Sequence, residues 1–471
     1  MKFLFLYWNH PVEPLGLMYL SSVLKEKGHQ TRIGVIGGDE DLGHINAAWK
    51  PDVVAASVMT GSHVDFMEIV SRLKKTRPFI AMMGGSHPTF HPEVIEEYPE
   101  LDVAVQGEAE ESIREFAAAV QEGRDPTAVP NLWVRWNGRV HRNPMRDLNE
   151  DIDSLPFPDR EIVYEHDLWK RQPIRHFIAC RGCAYRCTYC FNNAIADIYK
   201  GKGRWVRWRS VENVVREVKD VIGRHGGKFV YFQDDIFIMD KTWLAEFAAL
   251  YSKEVGLPFH CHVRPNLVDE RSARLLKEAG CYSVHMALET ADDGLRKLIE
   301  RDMPKETILS ASRALNSNGI RIMMQNILGL PTSTLRNDFE TLEMNIACRP
   351  LYAWCSLFQP YPGLELTRYA RGKGLLEEKD GNSFDDIGKK FFEASILKLE
   401  NKKEREFLQK WFALAAAYPI LYRSGLLGLL IRAPDVPAVR KAYHWVYDKF
   451  RKHRDSQLYG LELESANEME D

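Results

Sequence analysis

Apolar positions along the chain follow two successive patterns of strand and helix. Up to about residue 145, short continuous apolar runs alternate with segments of helical 3–4 spacing. The runs KFLFLYW (2–8), TRIGVI (31–36), DVVAASV (52–58), FIAMMGG (79–85) and LDVAVQG (101–107) read as buried strands. Between them, LGLMYLSSVLKEKG (15–28) reads as a helix that Gly28 terminates, with further helices over about 62–75 and 108–122. Ser62 and Asp65 stand at capping-box spacing where the 62–75 helix opens. Such alternation predicts a parallel, Rossmann-like sheet with helices on both faces and its ligands at the strands' carboxyl ends. NLWVRWNGRVHRN (131–143) closes the region as a hairpin around Asn137-Gly138.

A polar, proline-bearing stretch, NEDIDSLPFPDRE (149–161), reads as a linker. A second strand–helix series follows, with strands RHFIAC (175–180), KFVYFQD (228–234), PFHCHVR (258–264), YSVHMAL (282–288), RIMMQNILG (321–329) and YAWCSLF (352–358). Helical crossovers such as SVENVVREVKDVIG (210–223) separate them, which predicts a partial (βα)6 barrel of TIM type. From about 380 the pattern turns helical, over 403–423 and 439–454, and ends in the acidic LELESANEMED, expected to be disordered. The expected organisation is therefore an α/β chain: residues 1–148, a linker 149–170, a barrel 171–375, and a helical region 376–471 capping the barrel mouth.

Composition narrows the class. Sixty-three basic against 66 acidic residues leave a formal charge of −3, which argues against nucleic-acid binding by bulk electrostatics. The amino-terminal apolar run is too short for a signal peptide, and no run approaches the roughly 20 apolar residues of a membrane span. A cytoplasmic location is expected. GLLGLLI (425–431) reads as a packed segment, with peripheral membrane or lipid contact as the alternative.

Four of the eight cysteines lie within residues 180–190, a clustering that points to metal rather than disulfides. Cys183-x-x-x-Cys187-x-x-Cys190 follows a strand directly, where a short loop can converge three soft thiolates on an iron–sulfur cubane. Three ligands leave one iron open to a small molecule. A closed zinc site would need a second ligand pair, which the sequence lacks. Cys261, Cys281, Cys348 and Cys355 lie in strand or helix patterns and read as buried apolar residues.

The CxxxCxxC motif, with Tyr189 before its last cysteine, resembles the signature of the radical S-adenosylmethionine (SAM) superfamily. The resemblance implies a [4Fe-4S] cluster on Cys183, Cys187 and Cys190, with SAM on the open iron and a flavodoxin- or ferredoxin-like electron donor. Cys180, three residues upstream, is not expected to be a ligand, because four thiolates would leave no iron for SAM. Asp234-Asp235, Arg264 and Glu289 fall at barrel-strand ends where the family contacts SAM; a helix cap or loop carboxylate for either aspartate, and a structural salt bridge for Arg264, are the alternatives. Gln325 and Asn326, polar within an otherwise apolar strand, are expected to contact SAM or substrate. Pro360-Tyr361-Pro362-Gly363 matches the family's turn after the sixth strand.

The first region resembles the cobalamin-binding domain that precedes such barrels. The matching pieces are Pro14 and Gly16 opening the first helix, Ser57, Met59 and Thr60 after the third strand, Gly84, Gly85, Ser86 and His87 after the fourth, and Gly107-Glu108. Glycines at such positions are expected to let the backbone approach a flat corrin. The Asp-x-His-x-x-Gly motif, whose histidine is a lower cobalt ligand, is absent; His10 is a weaker substitute, and the 57–60 loop is expected beside the lower face. The resemblance spans roughly residues 1–375. It implies methyl transfer to an unactivated carbon through a 5′-deoxyadenosyl radical and methylcobalamin. The alternatives are non-methylating chemistry (ring formation, ring contraction or oxidation) with the same cofactors, and a SAM-only enzyme with a cobalamin sensor domain. The substrate is expected to be a small molecule, with a lipid or tetrapyrrole suggested by the apolar carboxy-terminal run.

Overall fold

The apolar runs of the first 145 residues become seven strands: β1 (Lys2–Trp8), β2 (Gln30–Ile36), β3 (Val53–Ser57), β4 (Ile80–Gly84), β5 (Val103–Val105), β6 (Leu132–Trp136) and β7 (Arg139–Arg142). They form one sheet in the order β2-β1-β3-β4-β5-β6-β7, parallel through β5 and antiparallel in the hairpin β6–β7. β1 shows why the run is continuous. Phe3 and Phe5 face one core with Leu17, Met18 and Phe116, while Leu4 and Leu6 face a second with Leu42, Phe66 and Val70. A strand buried on both faces has no polar side to alternate with. The helices Leu15–Lys25 and Glu110–Gln121 cover the first face, and Leu42–Trp49 and Ser62–Lys74 the second.

In this computed structural model, which describes residues 1–39, 41–376 and 394–461, the sheet belongs to a compact unit of Met1–Gln172 and Ile195–Arg209. The stretch read as a linker carries two short helices, Glu161–Tyr164 and Asp167–Lys170. Ile162, Val163, Tyr164 and Trp169 join the first core. Arg160 and Tyr164 also reach the loop after β1: Arg160 Nη1 and Tyr164 Oη donate to Glu13 at 2.5 and 2.6 Å. The capping box expected at Ser62 is not formed. Gly61, at φ 100°, takes the cap position, and the Ser62 hydroxyl turns back to the Met59 carbonyl at 3.0 Å.

The second unit comprises Pro173–Ala194 and the described residues from Ser210 onward. After β8 (Ile174–Phe177) come the two-residue strands β9 (Cys180–Arg181) and β10 (Arg207–Trp208), the latter within the first unit. Then follow β11 (Phe229–Phe232), β12 (Phe259–Val263), β13 (Cys281–Glu289), β14 (Arg321–Leu328) and β15 (Tyr352–Leu357). The sheet order is β15-β14-β13-β12-β11-β8, all parallel. It curls strongly: the Tyr231 hydroxyl on β11 reaches across β12 to within 3.3 Å of His285 Nδ1 on β13.

The carboxy-terminal helices pack on the edge strand β15 and on the amino-terminal half of other barrel strands. Lys402–Ala417 packs Phe407, Leu408 and Phe412 on Cys355 and Leu357 of β15. Pro419 ends the helical run, because it cannot continue the hydrogen-bond ladder. Within 425–431, Leu427 and Ile431 are buried and Leu429 is exposed. Pro437–Tyr459 ends with Tyr459 against Phe229 and His260, at the amino-terminal half of the barrel strands. Residues 377–393 and the acidic tail from 462 lie outside the described residues. Among the described residues, no helix is long and apolar enough to cross a membrane.

Candidate active site

Strand β9 delivers the chain into the loop carrying Cys183, Cys187 and Cys190, at the carboxyl end of the barrel sheet. Burial raises the Cys183 thiol above its ordinary range and pushes Cys190 up to about 12, with each thiol feeling its neighbours in the triad. Thiolates held together without a counter-charge are unfavourable, and bound iron would reverse that preference. Two guanidinium groups already face Cys187: Arg264 Nη1 stands 3.3 Å from its sulfur and Arg301 Nη1 3.9 Å. Cys180 is buried, and its thiol faces the Arg181 and Gly182 carbonyls, each at 3.7 Å. The donor set is three soft sulfurs in one loop, which fits a cubane cluster with an open iron.

The strand ends bind that loop. Tyr189 Oη donates to Glu289 Oε1 at 2.7 Å, and Glu289 holds a positive φ of 67° where the β13–β14 register shifts. A left-handed non-glycine residue at a strand end is backbone strain retained by its surroundings. Burial raises the Glu289 carboxyl, opposed by Arg301, Tyr189 and Arg264. Arg301 follows the helix Asp293–Leu298 and also donates to the Ala287 carbonyl; no sequence pattern marks it. Arg264 lies over the Tyr185 ring at 3.8 Å and donates to Asn266 Oδ1 at 2.9 Å. A cleft of about 380 Å³ beside the loop is lined by Tyr185, Arg264, Asn266 and Glu300, among others.

The two neighbouring aspartates diverge. Asp234 is completely buried and accepts the Ala179 N–H at 3.0 Å, with burial pushing its carboxyl up to about 7. It therefore braces the strand that leads to the cysteines. Asp235 is the one whose charge reaches Cys183 and Cys190, and it is hydrogen-bonded by Asn192. Gln325 faces the concave side, 3.5 Å from His285 Nδ1. Asn326 faces the other way and bonds Asn345 and the Trp354 carbonyl.

In the first unit the strand order reverses between β1 and β3, the point where open α/β sheets bind ligands. Pro14 and Gly16 border the loop after β1, and Ser57, Met59 and Thr60 the loop after β3. Ser57 and Met59 are exposed there, Met59 at 60%. A Cβ on Gly16 would meet nothing within 4 Å, and one on Gly84 nothing nearer than 3.8 Å. These residues leave a surface that a flat ring could approach. Two other glycines are closely surrounded by protein atoms. A Cβ on Gly85 would lie 2.6 Å from the Val58 backbone, and one on Gly107 1.9 Å from the Tyr199 hydroxyl, so protein atoms already fill both spaces. Ser86 opens the short helix Ser86–Phe90. The Glu108 carboxylate is held by the buried Arg207, and its N–H donates to Tyr199 Oη at 2.8 Å.

Among the described residues, His10 and His87 beside these loops both have partners. His10 Nδ1 accepts the Val12 N–H at 3.2 Å. His87 is buried, stacked on His63 at 3.8 Å and 3.2 Å from Thr60 Oγ1; burial and the neighbouring histidines lower it to about 3.

Comparison with known proteins agrees with this division. Residues 1–117 match the B12 binding domain and residues 177–344 the radical SAM superfamily. The chain is 28% identical over 371 residues to uncharacterized methyltransferase PH0819 of Pyrococcus horikoshii, covering 77% of this chain and 79% of that protein. It is 26% identical over 377 residues to the anaerobic magnesium-protoporphyrin IX monomethyl ester cyclase of Rubrivivax gelatinosus, covering 75% and 65%. Among solved structures, the radical SAM methyltransferase TsrM of Kitasatospora setae superposes with a TM-score of 0.68 at 16% identity, over 96% of this chain and 99% of that one. The cobalamin-dependent radical enzyme OxsB gives 0.72 at 17%, over 96% and 71%. A B12-binding sheet followed by a radical SAM barrel bearing the cysteine triad makes this chain a member of the cobalamin-dependent radical SAM enzymes.

Proposed function

We propose that this chain is a methyltransferase that places a methyl group on an unactivated carbon of a small molecule. The carrying observation is the set of three thiols, not four, at the carboxyl end of the barrel sheet, downstream of a B12-binding sheet. Cys183, Cys187 and Cys190 hold the cluster, and Arg264 and Arg301 steady the Cys187 sulfur by donating to it. Tyr189, bonded to Glu289, fixes the loop against β13, and Asp235 is the carboxylate placed to meet the amino group of SAM. Pro14, Gly16, Ser57, Met59 and Gly84 would form the face offered to cobalamin, where Met59 is an exposed side chain. When bound, the cluster and SAM supply the 5′-deoxyadenosyl radical, and cobalamin supplies the methyl group. An external one-electron donor of the flavodoxin or ferredoxin class completes the reading.

The relatives named as methyltransferases, PH0819 among them, support methylation. The relative named as a magnesium-protoporphyrin ester cyclase favours a second reading, in which the same machinery closes or oxidises a ring on a tetrapyrrole-like substrate. Turnover with SAM carrying a deuterated methyl group separates them. A product heavier by that group supports methyl transfer, and a turned-over product without it refutes that reading.

A further inference from the structure

The barrel interior holds a histidine cluster that the cluster loop does not use. His260 and His262 alternate on β12, so both project to the concave side, and the parallel register sets His262 beside His285 of β13. One ring nitrogen from each of the three lies within 4.8 Å of the others. His262 Nε2 is 3.0 Å from His285 Nδ1, and the Tyr231 hydroxyl is 2.9 Å from the former and 3.3 Å from the latter. Two further ring nitrogens, Nε2 of His260 and Nε2 of His285, are out of solvent with no hydrogen-bond partner. Below, Tyr459 closes the space, with its ring 5.5 Å from that of His260.

We propose that His260, His262 and His285, with Tyr231 as fourth ligand, form a binding site for a divalent cation of the zinc class. The triangle of His262, His285 and Tyr231 atoms has edges of 2.9 to 3.3 Å. A tetrahedral zinc ion with bonds of about 2.0–2.1 Å has edges of roughly 3.3 Å, so those atoms need shift by only a few tenths of an ångström. His260 closes the set through Nε2, because its Nδ1 is held by Ser283 Oγ at 2.6 Å. A hydrogen bond at the far ring nitrogen is how metal-bound histidines are oriented.

Imidazole and phenol donors suit zinc, and the absence of sulfur separates this site from the cysteine loop. On binding, the Tyr231 phenol loses its proton to solvent, which reduces the charge that the site must bury. A closed four-ligand set is structural in character. It would tie β11, β12 and β13 together two residues below Arg264, at a depth of roughly 7 Å along the strand.

The test uses the full chain with its cluster reconstituted, equilibrated with zinc in a weak chelating buffer. Elemental analysis is expected to give one zinc per chain beside full iron. The zinc-edge absorption spectrum is expected to fit three imidazole nitrogens and one oxygen. His262→Gln and His285→Gln should each weaken zinc binding by at least about 10- to 100-fold with iron content unchanged. Tyr231→Phe, the milder change, should keep zinc with the oxygen shell altered. Zinc below a tenth of an equivalent in the iron-loaded wild type would overturn the site, as would sulfur in the zinc shell. Zinc retained at full affinity by both histidine variants would also overturn it.

Discussion

The ion pair of Glu13 and Arg160 ties the loop after β1 to the segment read from sequence as a linker. Both side chains are 1% exposed, and Tyr164 adds a second donor to the same carboxylate. Arg160→Met removes the guanidinium, fills much of its volume and leaves the Glu13 carboxylate buried. Breaking a buried pair from one side costs about 3–5 kcal/mol, because the remaining charge keeps its desolvation penalty. In a unit of this size about 1 kcal/mol moves the melting midpoint by roughly 2–4 °C, so the transition reporting the first unit should fall by roughly 6–20 °C. Glu13→Gln/Arg160→Met should recover most of that loss, since neither charge is then buried alone.

Differential scanning calorimetry of the wild type, both single variants and the double variant forms the thermodynamic cycle. Hydrogen exchange of the peptide spanning 9–26 reports the same pair locally. Faster exchange there in Arg160→Met, reversed in the double variant, is the expected pattern. A shift under about 2 °C for Arg160→Met, or a double variant equal to the sum of the singles, would refute the reasoning.

Changing Cys183, Cys187 or Cys190 to Ala should abolish reductive SAM cleavage, whereas Cys180→Ala should keep four irons per chain, read by iron analysis and 5′-deoxyadenosine release; the reverse result would remove the three-ligand reading. Gly107→Ala should destabilise by at least about 2 kcal/mol, since its φ is 65° and its Cβ would meet the Tyr199 hydroxyl, with thermal melting as the measure. Gly16→Ala, in open space within a helix, should be neutral or stabilising by up to about 1 kcal/mol while lowering the cobalamin retained on purification. Unchanged cobalamin in that variant would take Gly16 off the binding face. Asp234 sits at about 7 when folded, against about 3.9 unfolded, so the unfolded chain gives up its proton first as pH rises. Stability should therefore fall from about pH 4 to pH 7 and then level. Asp234→Asn should melt higher than wild type at pH 8, with the gap closing toward pH 4; a gap independent of pH would contradict this.

The two sheets were legible because each strand reads in one of two clear ways. KFLFLYW is apolar throughout, since β1 is buried on both faces. RIMMQNILG carries polar residues in an apolar run, because Gln325 faces the barrel interior and Asn326 the helix Leu335–Cys348. The helix Leu42–Trp49 escaped notice because it is short and its sequence, LGHINAAW, buries only Leu42, Ile45 and Asn46. The cysteine triad was legible as a spacing. Its supports, Arg301 above all, were not, because they arrive from distant segments with no local pattern.

Some of what holds the site together is three-dimensional only. An added Cβ at Gly85 would meet the Val58 backbone, and one at Gly107 the Tyr199 hydroxyl. Tyr199 lies 91 residues beyond Glu108, and no spacing rule connects them. Asp234 and Asp235 are adjacent, and alternation fails where a strand ends, so the sequence could not say which one faces the thiols. The histidines are the opposite case. His260-x-His262 on one strand and a histidine on the next were in plain view, and the register that sets His262 against His285 turns that spacing into a candidate site. A polar pair alternating along an otherwise buried barrel strand therefore carries more information than a polar residue at its end.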